Sequence, residues 1–305
     1  MATVHILLAT HNGAKYLDQQ LQSFLTQDHD DWQLWVSDDR STDTTRDVVE
    51  RFAAAHPGRV RLVQEGPGAG SAANFLSLLA RPELAGQWIA FSDQDDVWMP
   101  HKLARAVDRL GTVDGGRGVY ASRTIHTDAN LVPKGPSRLH RRPFEFGNAL
   151  VQNVLAGNTI VLPPEGAAVV RSSLATATEC GVPFHDWWVY QICAGAGLHI
   201  INDPEPGLYY RQHADNAMGA SVARRMDRVK QLHGRVFAGW IDCNLSALDQ
   251  SRDTLRPECA ALLDQMIAWR ATPRLRRVTP AKLGLYRQTA AADRILHMLA
   301  FAGRI

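Results

Sequence analysis

Strand-like and helix-like patterns alternate through the first 110 residues, and few folds accept that order. Val4–Thr10 is a short, largely apolar run, as expected of a strand buried on both faces. Leu17, Leu21, Phe24 and Leu25 follow at i, i+4, i+7 and i+8, which places them on one helix face. The unit then recurs. Trp32–Ser37, Val60–Gln64 and Trp88–Ser92 read as strands, each followed by a helical segment: Asp43–Ala55, Ser71–Ala80 and Met99–Leu110, the last with Pro100 in its first turn. Such alternation predicts a parallel sheet covered by helices on both faces. Ligands of these sheets bind beyond the carboxyl ends of the strands, so the residues directly after each strand are the candidates for chemistry.

From about residue 118 the pattern loosens. Gly118–Thr127, Leu150–Val154 and Thr159–Leu162 read as shorter strands, and Pro163–Ala177 and Asp186–Ala196 as helices. Beyond residue 220 the chain reads as helix throughout, broken near Pro257, Pro273 and Pro280. This predicts a domain over 1–220, with halves of about 1–115 and 116–220, and a helical extension over 221–305. Charge follows the same division. Residues 221–305 carry 15 Lys/Arg against 7 Asp/Glu, whereas 1–220 carry 18 against 24. An acidic main domain without a recognised motif argues against nucleic-acid binding. The basic tail, with Trp240, Trp269 and Arg274-Leu275-Arg276-Arg277, leaves open peripheral membrane contact, a homodimer surface or a plain solvated face. The cysteines Cys180, Cys193, Cys243 and Cys259 form no Cys-x-x-Cys pair, which favours reduced thiols. With no signal-peptide pattern and no long apolar run, a cytoplasmic location is expected.

Three polar clusters fall at the strand ends. The first is Thr10-His11-Asn12-Gly13, the second Asp38-Asp39-Arg40-Ser41-Thr42-Asp43, and the third Asp93-Gln94-Asp95-Asp96. Asn12-Gly13 suits a turn, and Ser41 or Asp43 suits a helix cap. Adjacent carboxylates at the end of an apolar strand, by contrast, repel unless a cation or hydrogen-bond donors meet them. Three carboxylates in four residues call for a compensating cation. Oxygen ligands favour Mg²⁺ or Mn²⁺, which take one or two protein carboxylates and complete their shell with water and phosphate oxygens.

These motifs resemble family 2 glycosyltransferases of the GT-A fold, in particular a bacterial rhamnosyltransferase-like branch. The resemblance rests on Ala9–Gly13, Ser37–Asp43 and Phe91–Trp98, then on Gly157-Asn158-Thr159, His185-Asp186-Trp187-Trp188 and Tyr210-Arg211-Gln212-His213, with Asn74-Phe75-Leu76. It covers residues 3–220 and implies a Rossmann-like, mostly parallel α/β sheet with helices on both faces. It further implies that Thr10 and Asn12 line the nucleotide pocket, that Asp39 or Asp38 accepts a pyrimidine N–H, and that Asp93 lies near the ribose. Asp95 would bind the metal, joined by His213, and Asp186 would be the catalytic base. Asn74, Asp96, Trp98, Gly157, Asn158, His185, Trp187 and Arg211 would face the donor or acceptor sugar. Two positions depart from the family pattern: Gln94 replaces a small residue and Arg40 a glycine.

The implied reaction is inverting transfer from a nucleotide-diphosphate sugar to a hydroxyl of a glycan or lipid-linked glycan, in bacterial surface-polysaccharide synthesis. L-rhamnose from dTDP-rhamnose is the preferred donor. A UDP-hexose or UDP-N-acetylhexosamine donor and a non-catalytic nucleotide-sugar-binding module are the alternatives. Asp186 also suits a helix N-cap, and His213 a structural hydrogen bond. A sugar nucleotidyltransferase is disfavoured, because the loop after the first strand has a single glycine.

Overall fold

A computed structural model describes residues 2–62, 65–213, 236–272 and 278–305. Its centre is a nine-stranded mixed sheet of order β3-β2-β1-β4-β8-β6-β9-β5, with β7 beside β6. The strands are β1 (Val4–Thr10), β2 (Trp32–Asp38), β3 (Val60–Leu62), β4 (Trp88–Ser92), β5 (Val97–Trp98), β6 (Gly118–Thr127), β7 (Pro133–Pro136), β8 (Val161–Leu162) and β9 (His199–Arg211). Strands β3, β2, β1 and β4 run parallel, whereas β8 joins β4 antiparallel and β6 pairs with β9 in parallel. The strand order reverses between β1 and β4, so a crevice opens beyond their carboxyl ends.

Strand alternation sorts the apolar side chains into two cores. Val4, Ile6 and Leu8 of β1 meet α1 (Ala14–Leu25), α2 (Thr45–Ala55) and α4 (Lys102–Gly111) through Leu17, Phe24, Val49 and Leu103. Leu7 and its neighbours Trp35, Ile89 and Phe91 point the other way. They meet α3 (Ser71–Leu79) and α8 (His185–Gly195). A one-residue slip of β1 would exchange the two sets, so the register is fixed by burial.

The second half departs from the sequence expectation. Leu150–Val154 is not a strand. It leads out of a short α5 (Phe146–Ala149) as a loop, tied by the Leu155 N–H donating to Asn153 Oδ1 at 3.2 Å. The expected helix over Pro163–Ala177 divides into α6 (Pro164–Arg171) and α7 (Leu174–Glu179). At the break, Ser172 and Ser173 turn their hydroxyls back onto the Val169 and Val170 carbonyls, competing with the backbone ladder. The helix expected from Met99 begins at Lys102, because the Met99 N–H donates to Gly207 O and extends the β5–β9 ladder.

The tail is helical where described: α9 (Val236–Gln250), α10 (Pro257–Ala271) and α11 (Ala290–Phe301). Ile241, Leu263, Met266 and Leu296 share the core of α5 and α8. Trp269 is buried, and the half-buried Trp240 packs edge-on against Phe184 at 4.9 Å. Arg274, Leu275, Arg276 and Arg277 lie outside the described residues, as does the boundary expected at 220. Among the described residues no helix is long and apolar enough to cross a membrane.

Candidate active site

A continuous cleft of about 1140 Å³ spans the carboxyl ends of β1, β4 and β6. Its walls include Thr10, Asp39, Asn74, Asp93, Asp95, Gly157, Asn158, Asp186 and Trp187. Asn12, Asp38, Asp96, Trp98, His185, Arg211 and His213 stand outside that lining, and most are occupied in holding it.

The adjacent carboxylates of the second motif divide their work. Asp38 is buried and accepts Thr10 Oγ1 at 2.8 Å, Ser41 Oγ at 2.5 Å and the Ser41 N–H at 3.0 Å. Asp39 instead reaches the cleft and accepts the N–H groups of Gly68 and Gly70 at 2.5 and 3.0 Å. Both glycines have φ near +70 to +90°, which brings their amides round to one carboxylate. Asn12, itself at φ 46°, accepts the Thr42 N–H at 2.8 Å and joins the loop after β1 to the loop after β2. Arg40 stands at φ 64°, which explains why glycine suits that position elsewhere.

Gln94, the other departure, has a local task. Its side chain accepts the His11 N–H at 2.9 Å and donates to the His11 carbonyl at 3.0 Å. A small residue there would leave the loop after β1 without this bridge.

The third motif carries the largest electrostatic load. Burial, then the charges of Asp95 and Asp186, push the Asp93 carboxyl up to about 7. Burial, then the charges of Asp95 and Asp93, raise Asp96 well above its usual range. Asp96 accepts Asn158 Nδ2 at 2.5 Å and the Arg211 N–H at 3.1 Å, so it ties the motif to β9 and to the Gly157–Thr159 turn. Arg211 is buried. Its guanidinium donates to the Asp95 carbonyl, the Ala129 carbonyl and Gln19 Oε1, and lies 4.5 Å from the Tyr16 ring.

His213 Nε2 lies 2.7 Å from Asp95 Oδ2, and its ring packs on Tyr16 at 4.6 Å. A carboxylate oxygen and an imidazole nitrogen thus meet beside a surplus of negative charge, a donor set that suits a divalent cation such as Mn²⁺ or Mg²⁺. Among the described residues no third His, Cys, Asp or Glu completes a metal-binding group. Diphosphate oxygens and water would fill the remaining positions.

Asp186 sits in the first turn of α8. It accepts the Trp187 N–H at 2.7 Å and the Gly157 N–H at 3.2 Å. Burial pushes its carboxyl up to about 6, against those amides and Asn153, which favour the charged form. It therefore serves as both first-turn helix acceptor and cleft carboxylate. His185 stacks on Phe75 at 4.0 Å, and burial lowers it to about 3, so it is a neutral packing residue behind the wall.

The family resemblance places Trp98 at the sugar. It is instead buried against Phe24 at 4.8 Å, with Lys102 Nζ 3.5 Å from its ring, because β5 turns it into the core of α1 and α4. Lys102, which sequence reasoning passed over, donates to the Asn158 carbonyl at 2.7 Å. Burial lowers it to about 7, opposed by Asp96 and Asp93.

Residues 5–176 match the model of glycosyl transferase family 2. The chain belongs to that family. It is 30% identical over 229 residues to the dTDP-rhamnosyl transferase RfbG of Shigella flexneri, covering 71% of this chain and 75% of that one. An uncharacterized glycosyltransferase of Nostoc sp. is 27% identical over 238 residues, covering 76% and 71%. The solved structure of S. aureus TarS 1-349 in complex with UDP is similar in fold. It has a TM-score of 0.50 and 16% identity, over 100% of this chain and 88% of that one. The GT-A-like architecture expected from the sequence is therefore present.

In this family 2 glycosyltransferase, residues beyond the matched region also reach the cleft. Phe237 and Trp240 of α9 and Arg287 line the same cleft. The i, i+3 spacing of the aromatics was legible as a helix face, but nothing local marked that face as a cleft wall. Arg287 lies between a 3-10 turn and α11, where no periodicity exists to read.

Proposed function

We propose that this glycosyltransferase inverts configuration as it moves L-rhamnose from dTDP-rhamnose to an acceptor hydroxyl of a surface glycan or its lipid-linked precursor. One observation carries the chemistry: the Asp186 carboxylate shares a cleft with Asp93 and Asp95 and stands close enough to raise Asp93 by its charge. The similarity to the Shigella flexneri dTDP-rhamnosyl transferase favours this donor.

Asp95 and His213 would hold the divalent cation, and Asp93 would lie beside the ribose. When bound, the ion supplies Lewis-acid neutralisation of the leaving diphosphate. Asp39, with lone pairs left after Gly68 and Gly70, accepts a pyrimidine N–H. Asp186 takes the acceptor hydroxyl proton as that oxygen bonds to the anomeric carbon and the bond to diphosphate breaks. A positioned base of this kind contributes roughly 10²–10⁴-fold.

A donor panel tests the reading. Purified protein is incubated with dTDP-rhamnose, UDP-glucose, UDP-N-acetylglucosamine and GDP-mannose, with Mn²⁺, Mg²⁺ or EDTA, and released nucleoside diphosphate is measured. Metal-dependent release from dTDP-rhamnose is the expected result. Release from a UDP-sugar alone would overturn the donor assignment, and equal release in EDTA would overturn the metal.

A further inference from the structure

We infer that Arg287, with the aromatic group Trp187, Phe237 and Trp240, forms an acceptor subsite for a saccharide carrying an anionic substituent, a uronate or a glycosyl diphosphate. The inference rests on the transferase reading and names the acceptor class at that site.

The aromatic group begins at the base. Asp186 lies between Phe184 and Trp187 in sequence. Trp187 stacks on Phe237 at 6.2 Å and 15°, and Phe237 meets Trp240 at 6.3 Å. Phe184, Trp187, Phe237 and Trp240 all line the cleft. Aromatic faces beside a base suit the apolar face of a sugar ring.

Arg287 closes this end, its guanidinium carbon 5.9 Å from the Phe237 ring. Its Nε is buried and, among the described residues, has no hydrogen-bond partner. Burial lowers the guanidinium, and Asp293 is the charge that opposes this. Yet the Asp293 oxygens already accept the Arg287 N–H at 2.6 Å and Arg142 Nη1 at 2.5 Å. Among the described residues, the Arg287 side chain is thus a forked donor facing the cleft without a carboxylate of its own. The nearby cleft segment adds Arg138 and His140, whose Nδ1 is likewise buried without a partner among the described residues. The cleft carboxylates Asp39, Asp93, Asp95 and Asp186 belong to the nucleotide side and the base. A guanidinium whose Nε–H is buried and unpaired among the described residues, on a side chain that lines the cleft, is matched by a carboxylate or phosphate.

Titration calorimetry with the full chain tests this. Binding of dTDP with Mn²⁺ is measured first, which tests the proposed donor separately. With dTDP saturating, two matched pairs are then titrated: methyl glucoside against methyl glucuronide, and benzyl N-acetylglucosaminide against N-acetylglucosaminyl benzyl diphosphate. If dTDP does not bind, the dTDP-rhamnose assignment fails, and the same pairs titrated on the free protein still decide the subsite. The expected result is a preference of at least ~10-fold for one anionic member, which identifies its source. Arg287→Gln should reduce that preference to within ~2-fold while leaving the neutral sugar and dTDP unaffected. Arg287→Lys, which keeps charge but loses the fork, should retain part of it and serves if the Gln variant does not fold. Absence of an anion preference in the wild type, or a preference unchanged in the folded variants, would overturn the subsite.

Discussion

His213 Nε2 and Asp95 Oδ2 stand 2.7 Å apart although 118 residues separate them in the chain. The contact joins the end of β9 to the motif after β4. Arg211 and Asp96 fix both sides of it, through the guanidinium on the Asp95 carbonyl and the carboxylate on the Arg211 N–H. If this pair holds the cation on the leaving diphosphate, Asp95→Ala should lower metal-stimulated turnover roughly 10²–10³-fold, the rate equivalent of several kcal/mol. His213→Ala should raise the metal concentration needed for half-activity. Metal titrations of donor hydrolysis check both, and an unchanged metal response in Asp95→Ala would remove the pair from the mechanism.

The Asp186 carboxyl is raised to about 6 by burial, and a base acts only when deprotonated. Activity should therefore rise with pH through about 6 and level off above it. Asp186→Asn should lose roughly 10²–10⁴-fold and flatten that limb. A pH–rate profile of kcat/KM in both proteins measures this. A full acid limb persisting in Asp186→Asn would assign it to another group.

Gly157 has no room for a side chain. A Cβ there would lie 2.8 Å from His185 Nε2 and 3.2 Å from Asp186 Cβ. Since the Gly157 N–H also donates to Asp186, Gly157→Ala should displace the base and reduce kcat by more than ~10-fold while nucleoside diphosphate still binds. Parallel turnover and calorimetry separate the two effects.

Arg40 carries left-handed strain, and its ion pair with Glu65 is exposed on both sides. Exposed pairs contribute little, so Arg40→Gly should stabilise the fold by about 1 kcal/mol. Asp38→Ala should destabilise by about 1–3 kcal/mol, because Thr10 and Ser41 lose a buried acceptor. Denaturant titration measures both.

The parallel half was legible because each of its apolar runs sits on the sheet with a fixed alternation, and its polar clusters follow the strands directly. Asp38 and Asp39 could not be separated by sequence, since their roles depend on whether serine and threonine hydroxyls or two left-handed glycine amides arrive from elsewhere. Trp98 misled for a related reason: it stands within the carboxylate motif but is turned into the core by pairing with residues near 208. The 153–156 loop and Arg287 were not legible at all. Their place in the cleft is set by long-range packing of α5, α9 and α11, which leaves no periodic trace.

If Asp95 and His213 hold the cation, nucleoside diphosphate binding depends on a divalent ion. Calorimetric titration of dTDP into wild type and Asp95→Ala, each with Mn²⁺ and with EDTA, tests it directly. Binding at least ~10-fold tighter with Mn²⁺ is expected in the wild type, with no such difference in the variant. Equal affinity with and without the ion in the wild type, or a metal response surviving in Asp95→Ala, would contradict it.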